Sequence, residues 1–148
     1  MPEPILTLGR GLFFLGNLFY TVGSFAADWN ETHIYNKNWP PHARFHNGQT
    51  MSLGVLLGLS STYLAFRPVI SRVPLSLAEK KHSVLMAAVV GSFYCAAGLS
   101  AILYPGSDWF DEEHRREMTQ KPIFTLDVIV MWVAYAVEIR RLGKGKVA

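Results

Sequence analysis

Residues Asp28 to Gln49 read DWNETHIYNKNWPPHARFHNGQ, and this polar stretch separates the first two long apolar segments of the chain. It holds three of the five histidines and two of the four tryptophans. Its Pro40-Pro41 pair interrupts any helix arriving from the amino-terminal side, yet proline suits the first position of a new helix. The stretch therefore predicts that a second helix begins near Pro41 or His42, outside the membrane.

Four apolar segments have the length of membrane-spanning helices, about 20 residues each. They cover residues 5–26, 48–66, 84–104 and 123–139. Because the hydrocarbon interior cannot satisfy free backbone polar groups, all four are expected to be helical. The low charged fraction of 17% and the mean hydropathy of +0.18 agree with a lipid environment. The predicted fold class is all-α, with residues 1–148 forming one transmembrane four-helix bundle and a polar, histidine-rich extracytosolic loop.

The distribution of Lys and Arg predicts the orientation of the bundle. Nine of these residues lie near the two termini and in the second connection, against five in the first and third connections. By the positive-inside rule both termini face the cytosol, in the endoplasmic reticulum if the protein is eukaryotic. The first and third connections then meet on the opposite face. In an alternative reading, Arg10, the apolar run Gly11–Gly23 and Ser24-Phe25-Ala26 belong to a signal peptide that is cleaved before Ala27, which leaves three spans.

Several partner classes can be weighed from composition and spacing. The basic residues flank hydrophobic segments and form no basic face, so no nucleic-acid partner is expected. Cys95 stands alone in an apolar segment, which excludes a disulfide within the chain. Gly54 and Gly58 form a GxxxG pattern that serves either packing within the bundle or homo-oligomer formation. Glu138 is expected to form an ion pair with Arg141 at the cytosolic end.

The start of the second helix carries a candidate site. His42, His46 and Gln49 are spaced to share one helix face, with Arg44 pointing away from it. Two histidines four residues apart occur in helical metal sites, but those sites add a third ligand and usually a carboxylate. The sequence favours a site with no metal and no cofactor, while other candidate ligands on the same side remain open: Asp28, Glu31, His33 and His114.

Asp127 lies about five residues inside the fourth apolar segment, where an unpaired carboxylate is costly. It is therefore expected to face the bundle interior and to approach Asn17, His46 or Gln49. In the alternative reading, Asp127 forms a hydrogen bond between helices that only fixes the bundle. In the third connection, residues 108–117 are expected to form a short amphipathic helix, capped by Ser107 or Asp108, over the mouth of the bundle.

The Asp28-Trp29-Asn30, Thr32-His33, Asn36 and Trp39–His46 pattern, followed by four predicted spans, resembles a family of small four-span membrane proteins of unassigned function from fungi and bacteria. The resemblance covers essentially the whole chain. By analogy with small fungal membrane proteins, it implies a role in secondary metabolism, where such enzymes cyclise, isomerise or oxidise lipophilic intermediates. It carries over no catalytic residue.

The function expected is acid/base chemistry on a lipophilic small molecule, such as a terpenoid or polyketide intermediate, by isomerisation, cyclisation or hydration. The expected base is His42 or His46, and the expected acid partner is Asp127 or Asp28. The substrate is expected to contact Asn30, His33, Trp39, Arg44 and Gln49. Two alternatives stay open. One is a non-catalytic membrane protein, either a carrier or an accessory partner of pathway enzymes. The other is a membrane oxygenase with a His-bound metal.

Overall fold

The computed structural model describes residues 3–144, which form four long helices and no strands. The helices are α1 (Leu8–Asp28), α2 (Pro41–Ile70), α3 (Leu77–Ala101) and α4 (Lys121–Lys144), with one 3-10 turn at Glu112–His114. The predicted all-α fold is confirmed. One end of the bundle holds the connections 29–40 and 102–120 and is called the loop end below. The opposite end holds the connection 71–76, residues 3–7 and the end of α4, and is called the terminal end.

The four helices pack in a ring in which α1 and α3 each pack against both α2 and α4, whereas the backbones of α2 and α4 do not approach each other closely within the described residues. Glycines allow the close approach. A Cβ on Gly58 would clash with Thr21 Oγ1 of α1, and one on Gly54 would lie 3.1 Å from the Tyr94 ring of α3. The GxxxG pattern of α2 therefore serves packing within this chain, which is one of the two uses expected for it.

Prolines set two helix boundaries. Pro41 occupies the first turn of α2, as expected, because the missing N–H of proline costs nothing there. Helix α3 ends at Ala101, three residues before the predicted end of its span. The ring of Pro105 would clash with the carbonyl of Ala101 in a continued helix, and the Ser107 hydroxyl donates a 2.8 Å hydrogen bond to that carbonyl instead.

The prediction of an amphipathic helix over residues 108–117 is wrong, because only the 3-10 turn Glu112–His114 forms there. Its side chains are used in tertiary contacts instead. Glu113 accepts hydrogen bonds from the first connection, and Arg115 pairs with Asp108 at 2.9 Å. An isolated helix of this length is marginal in water, so a few such contacts decide the conformation.

Three of the helices, α2, α3 and α4, are long and apolar enough to cross a membrane. The prediction of four spans is therefore supported only in part, since α1 does not reach the same hydropathy. Arg10, Asn17 and four glycines lower the mean hydropathy of α1. Large apolar side chains on all four helices point outward, and examples are Leu15, Phe19, Leu56, Leu59, Phe93, Leu126 and Trp132. Such an apolar exterior fits a protein associated with a membrane.

The terminal end is held by an ion cluster of five side chains: Glu3, Arg10, Lys80, Glu138 and Arg141. Arg10 and Glu138 are fully buried and lie 3.3 Å apart. Glu3 lies 2.6 Å from Arg10 and 2.9 Å from Lys80, and Arg141 lies 2.8 Å from Glu138. The expected pair of Glu138 and Arg141 is confirmed. The cluster joins the segment before α1 to α1, α3 and α4.

Glu3 gives the ion cluster a pH dependence. Burial alone would raise the pKa of Glu3, but hydrogen bonds from Lys80, Arg10 and Arg141 lower it to about 2 from an ordinary 4.5. A carboxyl whose pKa falls on folding stabilises the fold above its ordinary pKa and loses this contribution as it is protonated. We expect the free energy of unfolding to decrease as the pH is lowered from 4.5 to about 2. In Glu3→Gln this decrease should be smaller. Denaturant titrations in detergent at several pH values in that range measure the free energy of unfolding. The same dependence on pH in the wild type and in Glu3→Gln would contradict the prediction.

Candidate functional site

Asparagine side chains shape the connection 29–40 at the loop end. Asn30 Nδ2 donates to the carbonyls of Ala26 and Ala27, which caps the carboxyl end of α1, at 3.2 and 2.7 Å. Asn30 Oδ1 accepts from the backbone N–H and the hydroxyl of Thr32, at 2.8 and 2.7 Å. Asn36 Oδ1 accepts in the same way from the backbone N–H of Asn38 at 2.8 Å. Short turns of this kind give the connection a defined shape without regular secondary structure.

The two connections of the loop end are bonded to each other. The amide groups of Asn36 and Asn38 both donate to the Glu113 carboxylate at 3.2 Å. The Trp39 indole N–H donates to Asp111 Oδ2 at 3.1 Å. The predicted meeting of the first and third connections on one face is therefore observed.

Asp28 and His33 form an acid–imidazole pair between the end of α1 and the connection. Asp28 Oδ1 lies 3.8 Å from His33 Nε2, and Asp28 Oδ2 accepts a 2.8 Å hydrogen bond from Asn47 Nδ2 of α2. The His33 ring packs edge-on against Trp39, with 4.9 Å between ring centroids. Both members of the pair are partly shielded from solvent, at 17% and 32% exposure.

The hydrogen bonds around His33 define its tautomer. The single hydroxyl proton of Thr32 is donated to Asn30 Oδ1, so Thr32 Oγ1 accepts from His33 Nδ1, which lies 2.6 Å away. His33 Nδ1 therefore carries the proton and Nε2 has a free lone pair, an assignment that follows from the network. At 3.8 Å, Asp28 is too distant for a hydrogen bond to Nε2. That nitrogen is left available to take up a proton, and the Asp28 carboxylate would face the resulting positive charge.

Arg44 and Asn47 extend from the inner face of α2 toward the same connection. One Arg44 guanidinium nitrogen donates to the Asn36 carbonyl at 2.7 Å, and Asn47 holds Asp28. Arg44 Nε and Asn47 Oδ1 are both buried, and neither has a hydrogen-bond partner among residues 3–144. One is a donor and the other an acceptor. Because buried polar atoms are rarely left without a partner, these two mark a place for water or a polar ligand group.

His42, His46 and Gln49 share a face of α2, as predicted, but this face is exposed, and it is Asn47 that bonds to Asp28. His46 Nε2 lies 3.0 Å from His42 Nε2, and His46 Nδ1 lies 3.2 Å from Gln49 Oε1. Within residues 3–144, no group of three or more His, Cys, Asp or Glu side chains is arranged to hold a metal ion.

Asp127 is buried, as predicted, but the structure does not bring it to either histidine group. A Cβ on Gly16 would lie 3.2 Å from Asp127 Oδ1, so the carboxyl faces α1. Gly16 precedes Asp28 by twelve residues, or about 18 Å along the helix axis. Asn17 donates to Ser61 and Thr62 instead, at 3.0 Å each. Asp127 Oδ2 has no hydrogen-bond partner among residues 3–144.

Sequence reasoning chose the outer face of α2 and missed Asn47 and Thr32, although a signal for Asn47 was present. Asn47, Met51, Gly54 and Gly58 are separated by four, three and four residues, so they share one helix face. All four are buried. Extending the glycine face toward the start of α2 would have selected Asn47 and not His46. Thr32 gives no such signal, because its role depends on a loop conformation.

Residues 15–148 match the model of one protein family, which is described as a family of unknown function, DUF6640. The matched range includes every residue of the loop end. No curated protein and no solved structure matches the chain. The result agrees with the expected resemblance to a family of unassigned function.

Proposed function

The chain belongs to this family of unknown function, DUF6640, and we propose that it is an integral membrane protein that performs acid/base chemistry on a lipophilic small molecule. The observation that carries the proposal is the Asp28–His33 pair with its oriented imidazole. His33 is the proposed base, a role that the sequence suggested for His42 or His46. Asp28 is the proposed partner that stabilises the protonated ring. Asn47 and Thr32 are positioning residues.

The reaction class follows from what this pair can do without a co-reactant. His33 Nε2 takes a proton from a substrate carbon that adjoins a double bond. The electron pair left behind forms a new double bond to the neighbouring carbon, and the electrons of the original double bond shift to its far carbon. The imidazolium then returns the proton to another carbon of the same molecule. Atoms and electrons balance, so the product is an isomer of the substrate. Such a step needs a positioned base, which the hydrogen bond to Thr32 and the packing against Trp39 provide.

Two features support a substrate with an apolar body and one polar group. Near the start of α2, Arg44 Nε and Asn47 Oδ1 offer an unpartnered donor and an unpartnered acceptor, and Asn47 also holds Asp28. Trp29 and Tyr35 are about half exposed at the loop end, and the Trp29 indole donates to the Tyr35 hydroxyl at 2.7 Å. Exposed aromatics with a polar edge favour the membrane interface, so a lipophilic molecule would enter from the bilayer.

His33→Ala and Asp28→Asn are expected to reduce product formation, with His82→Ala as the matched control. His82 is an exposed histidine on α3 at the terminal end, far from the pair along the bundle. We expect at least a tenfold loss for His33→Ala, since general bases typically contribute about 10²–10⁴-fold. The measurement is the metabolite profile of a heterologous host supplied with lipophilic precursors that the wild-type protein converts. Product formation that survives in His33→Ala would refute the assignment of the base.

Membrane insertion of all four helices, with both termini cytosolic, is also part of the proposal. Although α1 is less apolar than the others, it packs between α2 and α4, and its outer side carries Leu15, Leu18, Phe19 and Val22. The greater number of Lys and Arg at the terminal end favours that end as cytosolic. The orientation is tested by attaching a tag to each terminus and measuring whether a protease can reach it in sealed vesicles whose cytosolic face points outward. Tags that are protected from the protease at both termini would exclude the proposed orientation.

A second candidate function, a non-catalytic accessory protein, is supported by the bonds between the two connections. Glu113 holds Asn36 and Asn38, and Asp111 holds Trp39, so the loop end offers a defined polar surface to a partner. In that case His33→Ala leaves product formation by the partner enzyme unchanged. Loss of partner recovery in Glu113→Ala, with turnover intact in His33→Ala, would favour this candidate over the enzyme.

A further inference from the structure

The two exposed histidines of α2 contact each other and take no part in the Asp28–His33 pair. His42 and His46 project from the first two turns of α2, before residue 48, where the apolar span was predicted to begin. Their Nε2 atoms lie 3.0 Å apart, and the rings meet edge to face with 4.4 Å between centroids. We propose that this pair binds one divalent transition-metal ion through its two Nε2 atoms.

The separation of the two nitrogens matches the geometry that one metal ion requires. Imidazole nitrogens bind zinc at about 2.0–2.1 Å. At such bond lengths, two nitrogens on one ion are about 2.9 Å apart at a right angle and about 3.4 Å apart at the tetrahedral angle. The observed 3.0 Å falls between these values. The spacing therefore allows both nitrogens to bind one ion once the two rings rotate so that their lone pairs point to it.

Gln49 orients one of the ligands. His46 Nδ1 lies 3.2 Å from Gln49 Oε1, and a carbonyl oxygen can only accept, so His46 Nδ1 carries the proton. His46 Nε2 then has the free lone pair that a metal needs. Metal-binding histidines commonly donate their other ring N–H to an oxygen in this way. In the metal-free structure His42 Nε2 carries a proton and donates it to His46 Nε2. When the metal binds, His42 loses this proton to solvent and takes up another at Nδ1, so its Nε2 also gains a free lone pair.

The remaining coordination positions are open to water, because no third His, Cys, Asp or Glu side chain joins the pair within residues 3–144. Two imidazole nitrogens with water ligands suit Cu²⁺ and Ni²⁺ in square-planar geometry as well as Zn²⁺ in tetrahedral geometry. The general affinity order for such donors places Cu²⁺ highest among these ions. The proposed site is thus a surface site with two protein ligands, and Cu²⁺ is the ion that it is expected to bind most tightly.

The test is a titration of the purified full-length protein in detergent with Cu²⁺ and Zn²⁺, in competition with a chromophoric chelator. We expect one equivalent of Cu²⁺ per chain in the wild type, held more tightly than Zn²⁺. His42→Ala and His46→Ala should each lower the affinity at least tenfold, and Gln49→Ala, which removes the orienting oxygen, by about tenfold. The electron paramagnetic resonance spectrum of the Cu²⁺ complex should show coupling to two imidazole nitrogens.

The matched control is His82→Ala, which removes a single exposed histidine of α3. It should leave the affinity unchanged, and circular dichroism should show unaltered helix content in every variant, because His42, His46 and Gln49 are exposed. Cu²⁺ affinity that is unaffected by His42→Ala, or lowered equally by His82→Ala, would overturn the proposal. The measurement requires no turnover, so it can fail or succeed independently of the function proposed for His33.

Discussion

Arg10→Met is expected to lower the free energy of unfolding by about 3 kcal/mol, the lower end of the range for breaking a buried ion pair. Arg10 is fully buried, and its guanidinium contacts both Glu3 and the fully buried Glu138. Methionine fills much of the volume but donates no hydrogen bond. Glu138 keeps the bonds from Thr7 and Arg141, so its charge is not left entirely unpaired, and this limits the loss.

Backbone groups add to the cost of this substitution. The Arg10 guanidinium donates to the carbonyls of Pro4 and Ala65, at 2.7 and 3.3 Å. The variant leaves both carbonyls without this donor, and Ala65 is buried. Removing one partner of a buried hydrogen bond costs more than the bond itself contributes, because the remaining group has lost its contact with water.

Denaturant titration of the detergent-solubilised protein measures the effect, with Arg115→Ala as control. Arg115 also forms an ion pair with a carboxylate, Asp108, but both side chains are more than half exposed. Exposed pairs contribute little to stability, so this control should remain close to the wild type. Equal stability of Arg10→Met and the wild type would contradict the structural role of the ion cluster.

Gly9→Ala is expected to destabilise the bundle by about 1–3 kcal/mol, the usual cost of overpacking. A Cβ on Gly9 would lie 2.8 Å from Glu138 Cβ and 2.9 Å from the carbonyl oxygen of Ala134. Neither atom is the flexible end of a side chain, so α1 and α4 must move apart. The same movement would stretch the contact between Arg10 and Glu138.

Gly23→Ala in the same helix is the matched control for Gly9→Ala. A Cβ there would meet nothing within 4 Å. Alanine favours a helix interior over glycine by about 1 kcal/mol, so this variant should be as stable as the wild type or more so. The difference in denaturation midpoint between the two variants is the measurement. If both variants shift the midpoint in the same direction and by the same amount, the close α1–α4 contact at Gly9 is wrong.

The elements of the fold followed from local rules. Apolar length predicted the four helices, the Pro40-Pro41 pair predicted the start of α2, and the glycines predicted close packing. The boundaries were less accurate where a contact beyond the segment intervened, as at residues 108–117. Of the four predicted spans, three are apolar enough to cross a membrane, whereas the arginine, asparagine and glycines of α1 lower its mean hydropathy.

The structure shows where the residues chosen from the sequence lie, and only some of them lie together. Asp28, Asn30, His33, Trp39 and Arg44 do gather at the loop end. The expected convergence of Asp127 with the histidines of α2 does not occur. Helical spacing tells which residues share a face, but it does not tell which face turns inward. Nor does it give the depth of a residue in one helix relative to a residue in another.

By itself, the sequence determined that this chain forms apolar helices joined by a polar, asparagine-rich and histidine-rich connection, because hydrophobic length and proline position act within a segment. The tertiary structure alone decided that His33 faces Asp28 and that His42 and His46 face outward. It also decided that Arg10 and Glu138 meet in the core. These outcomes depend on how α1, α2 and α4 rotate and slide against one another to fit their glycines, and that balance of packing involves the whole bundle at once.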